Sequence, residues 1–221
     1  MDLKYARFRA NKYNYMKSPT ARAGFTLIEL LVVTAILTII TSIVLVNNGR
    51  FGGVILLENL AYDIALSIRE AQVYGISVRQ FGTGNFGVGY GMHFLTGSPT
   101  TYVLFADAIE SNGLYDGCPT EASCELVEST DIQRGYFLAG LCVPAGNSAK
   151  DCLKTSKVLR ADILFKRPEP DACISREGAS AMSGNYSCTG AQDSVRIILE
   201  SPRGDQMSVV VEATGQISTN R

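Results

Sequence analysis

Residues 25–46 read FTLIELLVVTAILTIITSIVLV, and this stretch decides how the rest of the chain is read. As an α-helix its 22 residues would be about 33 Å long, close to the hydrocarbon thickness of a bilayer. Between Arg22 and Arg50 the only charged residue is Glu29. On the N-terminal side lie Lys4, Arg7, Arg9, Lys12, Lys17 and Arg22 against one acid, Asp2. The positive-inside rule therefore keeps residues 1–24 cytoplasmic and exports the part of the chain beyond the apolar run. A secretory signal peptide has a shorter apolar core and a small-residue cleavage site, and the adjoining NNGRFGG supplies no such site. A plain single-pass anchor would fit the hydropathy alone.

Composition narrows the remaining classes. The chain has 221 residues, 20 Lys+Arg, 21 Asp+Glu, one His and six Cys, with 46% hydrophobic residues. Global disorder is excluded, and a net charge of −1 excludes a generally basic nucleic-acid coat. Without residues 1–24 the balance is 14 basic to 20 acidic, so the exported part is mildly acidic.

Glu29 argues against a plain anchor. A carboxylate in an apolar run is costly and usually marks function. In a helix Phe25 and Glu29 share one face. A cut between Gly24 and Phe25 would create an α-amine that is mostly protonated near neutral pH. A carboxylate and an amine attract strongly where the dielectric is low.

Gly24-Phe25-Thr26-Leu27-Ile28-Glu29-Leu30-Leu31-Val32-Val33, after a short basic leader, resembles the type IV prepilin signature. The chain is identified on these residues as a member of the type IV pilin and pseudopilin superfamily. The resemblance implies that a prepilin peptidase cuts after Gly24 and N-methylates Phe25. It implies that Glu29 pairs with the N-terminal amine of a neighbouring subunit during assembly. It further implies other pilins and an inner-membrane assembly platform as partners. The expected localisation is the inner membrane, then a filament. Thr34, Thr38, Thr41 and Ser42 fall on one side of the segment. Their hydroxyls are expected to bond back to backbone carbonyls, the alternative being a stripe for close helix approach.

Beyond the apolar run, Asn47-Asn48-Gly49-Arg50-Phe51-Gly52-Gly53 reads as a breaker, a kink or short unwound stretch. From Val54 the pattern is helical again. Leu57, Leu60, Ala61, Ile64, Ile68, Ala71 and Gly75 form one face, which should pack on a sheet. Phe86 to Phe94 alternate with a period of two, Thr101–Ala106 is the next strand, and Tyr136–Val143 and Val158–Phe165 are runs of strand length. Val195–Leu199 and Met207–Val211 flank Ser201–Asp205 as a hairpin with a five-residue turn. The expected fold is α+β and pilin-like, a long N-terminal helix with its second half on an antiparallel sheet. Its parts are a cleaved leader 1–24, a membrane and filament-core helix 25–46, the breaker 47–53 and an exported domain 54–221.

The globular part has looser marks. Arg69-Glu70-Ala71-Gln72, then YGMHF (90–94), the strand 102–107 and a closing Gly215-Gln216-Ile217 look like the GspH/FimT family of minor pseudopilins and minor pilins. Segments 107–157 and 166–193 match nothing in that pattern and read as surface insertions.

All six cysteines, Cys118, Cys124, Cys142, Cys152, Cys173 and Cys188, fall on the exported side. An even count in an oxidising compartment suggests disulfides. Of the possible connectivities the sequential one is favoured, because each pair would staple a loop rich in Gly, Pro, Ser or Asn. Free thiols or another pairing remain the alternative. Zinc has no C-x₂-C spacing to use. Asp107, Glu110, Asn112 and Asp116 are oxygen-rich without the spacing of a calcium loop, so a solvated loop is expected. Lys150, Lys154, Lys157, Arg160, Lys166 and Arg167 make a local basic excess that could meet phosphates, but an ordinary solvated face is favoured.

Catalytic patterns do not assemble. Ser/His/Asp chemistry would need His93, with no G-x-S-x-G beside it. Gly82-x-Gly84-x-x-Gly87 precedes a strand instead of opening a helix. The expectation is a non-enzymatic filament subunit without cofactor or metal, in a type II secretion pseudopilus or a type IV pilus. The competing reading is a pilus-borne surface-binding module such as a DNA-uptake receptor.

Overall fold

A 50-residue helix, α1 (Leu27–Ile76), leads the structure. The computed structural model describes residues 24–82, 84, 86–121, 123–180, 182, 188 and 191–220. Apart from Gly24, the basic leader lies outside the described residues. The chain divides into two units between Asn47 and Asn48, and α1 contributes to both.

In the first unit the side chains of Leu27–Val46 are all exposed. In the second, Leu57, Ala61, Ile64, Ile68 and Ala71 are at most 1% exposed, while Glu58, Asp63 and Glu70 face solvent. The period of 3.6 read from the sequence is thus the face that enters the core. Gly75 closes that face. A Cβ there would sit 2.3 Å from the carbonyl oxygen of Phe165, so only glycine permits this approach of helix to strand.

Residues 47–53 are helical, which corrects the unwound stretch expected there. The segment has glycines but no proline. Each Gly lowers helix stability by about 1 kcal/mol, yet every backbone donor remains to continue a cooperative helix. The Tyr136 hydroxyl also donates to the Gly53 carbonyl at 3.0 Å.

The strands are β1 (Gly89–Leu95), β2 (Thr101–Asp107), β3 (Leu126–Asp131), β4 (Phe137–Cys142) and β5 (Lys157–Val158). They continue with β6 (Arg160–Phe165), β7 (Ala172–Ile174), β8 (Ser194–Glu200), β9 (Gln206–Glu212) and β10 (Ile217–Asn220). A short helix, α2 (Ala149–Thr155), lies between β4 and β5. The strands form two antiparallel sheets, ordered β3-β2-β1-β6-β7 and β10-β9-β8-β4-β5, where a single sheet was expected. One face of each sheet joins the α1 face in a common core containing Met92, Phe94, Ile163, Ile197 and Val209. The α+β expectation holds, with the helix served by two sheets.

The run Val158–Phe165 is split at exposed Leu159. Val158 ends a strand of the second sheet, and Arg160 begins one of the first. The hairpin β8–β9 has the five-residue turn at 201–205. The two unmatched segments supply β3, β4, β5 and β7 to the sheets, which corrects their reading as surface insertions; other parts of them cover the sheets' outer faces. On the first sheet, Phe105, Leu164, Cys173 and Met182 form a second apolar layer with Tyr115. On the second, Cys142, Cys152 and Ile198 pack with Leu153 of α2.

Candidate functional site

At the head of α1, Gly24 and Phe25 are both open to solvent, and Phe25 is 83% exposed. A Cβ on Gly24 would touch nothing within 4 Å. Among the described residues, packing makes no demand for glycine at this junction. The helix begins immediately after. Thr26 caps it: its Oγ1 accepts the Glu29 N–H at 3.2 Å, and its carbonyl accepts the Leu30 N–H at 3.2 Å. Thr26 and Glu29 have the T-x-x-E spacing of a capping box, a signal the sequence reading passed over. Glu29 stands in the first turn, where the helix dipole favours an acid. Its cost in the apolar run is correspondingly less than at the centre of the span.

Below it, Leu27–Val46 is long and apolar enough to cross a membrane, with none of it buried. The Thr34 and Thr38 hydroxyls donate to Leu30 and Thr34 carbonyls at 3.0 Å, and Ser42 to Thr38 at 2.7 Å. Thr41 donates to Leu37 at 2.5 Å. The hydroxyls are spent within the helix, as expected of this stripe.

The six cysteines pair sequentially, Cys118–Cys124, Cys142–Cys152 and Cys173–Cys188. The loop of Asp107, Glu110, Asn112 and Asp116 is built on carboxylates that accept backbone N–H groups. Asp107 accepts from Asn112 at 3.2 Å and Gly113 at 3.1 Å. Glu125, which sequence reasoning missed, accepts from Ala108, Ile109 and Asp116 at 2.8–3.0 Å. Among the described residues no His, Cys, Asp and Glu cluster has the geometry to hold a metal.

The basic stretch is divided between elements of the two sheets. Lys150 and Lys154 are on α2 and Lys157 on β5, over the second sheet. Arg160 is on β6 of the first sheet and donates to Asp162 at 2.8 Å; Lys166 and Arg167 come directly after β6. His93 meets Asp162 at 2.6 Å through Nδ1. Ser175 donates to Asp162 at 3.2 Å. The hydroxyl is thus bound to the carboxylate, and among the described residues no serine is joined to the His93 ring as nucleophile to base. Asp162 is fully buried. Burial pushes its carboxyl up, but hydrogen bonds from His93 and Arg160 outweigh this and hold it below the usual range.

Two of the four loose marks of the globular part meet in space. Gln72 donates from Nε2 to the carbonyls of Pro170 at 2.8 Å and Gly215 at 3.2 Å. Gly215 has φ +79, and a Cβ there would lie 2.2 Å from the Pro170 oxygen. This buried amide ties α1 to the turn before β10.

No curated protein and no solved structure matches the chain. Residues 19–45 match the prokaryotic N-terminal methylation motif. Within residues 19–45, which include Gly24, Phe25 and Glu29, the chain thus carries the type IV pilin-like signal that implies a prepilin peptidase and pilin-type partners.

Proposed function

We propose that this protein is a non-enzymatic minor pilin or pseudopilin, inserted in the inner membrane with its N-terminus cytoplasmic and its α+β domain exported. The observation that carries this reading is the junction itself: exposed Gly24 and Phe25, a Thr26-capped helix start, Glu29 in the first turn, and an uncovered apolar helix within the matched motif. Prepilin peptidase cleaves after Gly24 and methylates Phe25. The helix waits in the bilayer and then exchanges lipid contacts for contacts with other subunits, in a type II secretion pseudopilus or a type IV pilus. The order of marks 69–72, 90–94, 102–107 and 215–217 supports a GspH/FimT-like minor subunit. The Gln72–Gly215 tie gives two of those marks a shared structural purpose.

Glu29 is the assembly residue in this reading. Among the described residues nothing in the chain pairs with its carboxylate, which suits an amine supplied by a neighbour. Glu29→Val is expected to insert and be cleaved normally, but to lose partner pilins by tenfold or more on co-purification from detergent-solubilised membranes. An unpaired amine in low dielectric costs several kcal/mol. Equal recovery of partners with normal assembly would contradict this role.

A DNA-uptake module is the second reading, and the dispersal of the basic stretch over two sheets disfavours it. Gel shift with the processed protein decides it: salt-sensitive binding to duplex DNA would favour the module.

A further inference from the structure

Residues 54–76 of α1 carry a second stripe on their solvent side. Leu57, Ala61, Ile64, Ile68 and Ala71 enter the core at steps of 4, 3, 4 and 3. On the opposite side Ile55, Tyr62, Leu66, Val73 and Ile76 are 38% to 66% exposed. With exposed Asn59 and Arg69 between them, these positions follow steps of 4, 3, 4, 3, 4 and 3. That is the a/d spacing of a coiled-coil seam. A straight helix drifts about 20° per heptad against such a repeat, so over this length all seven positions stay on one side. One apolar stripe is enough to hold a surface helix to its domain, and the core already occupies that one. None of the five exposed apolar side chains belongs to a core cluster of the described residues.

The flanks of this stripe are acidic. Glu58 borders it on one side and Asp63 and Glu70 on the other, all three exposed. Glu70 accepts from the Tyr74 hydroxyl, and among the described residues no ion pair engages any of the three acids. Arg69, the one basic residue between 54 and 76, donates back to Oε1 of Gln72. Beside the stripe lies a recess of about 200 Å³, lined by Val54, Glu58, Tyr62, Met207 and Thr219. Its apolar walls and its exposed carboxylate suit a Lys or Arg side chain, whose stem is apolar and whose charge sits at the tip.

We propose that this stripe is a docking seam for one α-helix of a different subunit, apolar along its own seam and bearing Lys or Arg on its flanks. That the helix belongs to another subunit rests on the pilin-type reading; the charge preference does not. A second copy of this chain is a poor occupant. In a parallel pair Glu58 of each helix would face Asp63 of the other, and in an antiparallel pair each acidic flank would meet its own copy. An anionic membrane surface is repelled by the same acids. Asn59 within the seam sets the register, because a polar residue there needs a polar group opposite.

Fluorescence anisotropy on the full chain in non-ionic detergent tests this with two labelled synthetic helices. Both carry Leu and Ile at the a and d positions; one has Lys at e and g, the other Glu. The Lys-flanked helix should bind about tenfold more tightly or better, and the gap should narrow in high salt. Leu66→Glu, at an exposed position, should abolish binding while thermal unfolding stays unchanged. Charge reversal by Glu58→Lys, Asp63→Lys and Glu70→Lys together should transfer the preference to the Glu-flanked helix. Equal binding of the two helices, binding of neither, or a preference that survives the reversal would overturn the proposal. So would a dimer of the chain, seen by light scattering in the same detergent and broken by Leu66→Glu. Peptide binding requires neither cleavage nor a filament, so its failure is distinct from a failure of N-terminal processing, which tests the pilin-type reading.

Discussion

The two parts of α1 are both apolar, yet they differ in what covers them. In Leu27–Val46 the large side chains are between 47% and 83% exposed, and charge is confined to Glu29. In residues 54–76 apolar positions recur on one face, and Leu57, Ile64 and Ile68 are essentially inaccessible. A helix that is apolar all round asks for a bilayer or other chains; a helix apolar on one face supplies its own partner within the domain. In the proposed reading, anchoring and the Glu29-dependent step of assembly belong to the first part, while the second part contributes to the core of the second unit.

Paired truncations break or sharpen this contrast. Ile64→Ala should destabilise the second unit by about 3–4 kcal/mol in denaturant unfolding, from lost burial and the cavity left behind. Ile40→Ala, at a side chain 52% exposed, should leave the same transition within about 0.5 kcal/mol. A comparable loss in both would merge the two roles.

The Cys142–Cys152 staple tests whether the insertion over the second sheet belongs to the stable unit. Both residues are fully buried, and they close a loop with a sequence separation of 10. Replacing both with Ala should lower stability by about 2.5 kcal/mol. Thiol counting on unfolded, unreduced protein should find none free.

The smallest effects concern two glycines of α1, with opposite signs. Gly52→Ala has open space and should stabilise the helix by up to about 1 kcal/mol. Gly75→Ala gains the same propensity but drives a methyl into the Phe165 backbone, and should cost about 2 kcal/mol net. Thermal unfolding of the two variants should shift in opposite directions.

Much of this was legible in the sequence because the signals are local. The junction, the apolar helix, the buried face from Leu57 to Gly75 and the hairpin turn at 201–205 each depend on neighbours within a few residues. The sequential disulfides were legible because each spans a short loop. What escaped depends on distant partners. Alternation in β1 reveals one covered face, Tyr90, Met92 and Phe94, but not that Tyr115 and Met182 join an apolar layer on the other side of the sheet. The run 158–165 does not declare that it changes sheets at Leu159. Glu125 reads as an ordinary surface acid, because the N–H groups it satisfies come from residues 9 to 17 positions away. The cap at Thr26 was the exception: its spacing to Glu29 was local, but a carboxylate in an apolar run drew attention to charge over hydrogen bonding.

The central claim is that α1 is delivered by prepilin-type processing at an exposed junction. Mass spectrometry of the N-terminal peptide, from cells with an active prepilin peptidase, tests it most directly. The account predicts a mature chain that begins at Phe25 with one added methyl group on its amine, and a Gly24→Leu variant that keeps residues 1–24. A wild-type protein that retains residues 1–24, or is cut elsewhere, would contradict it.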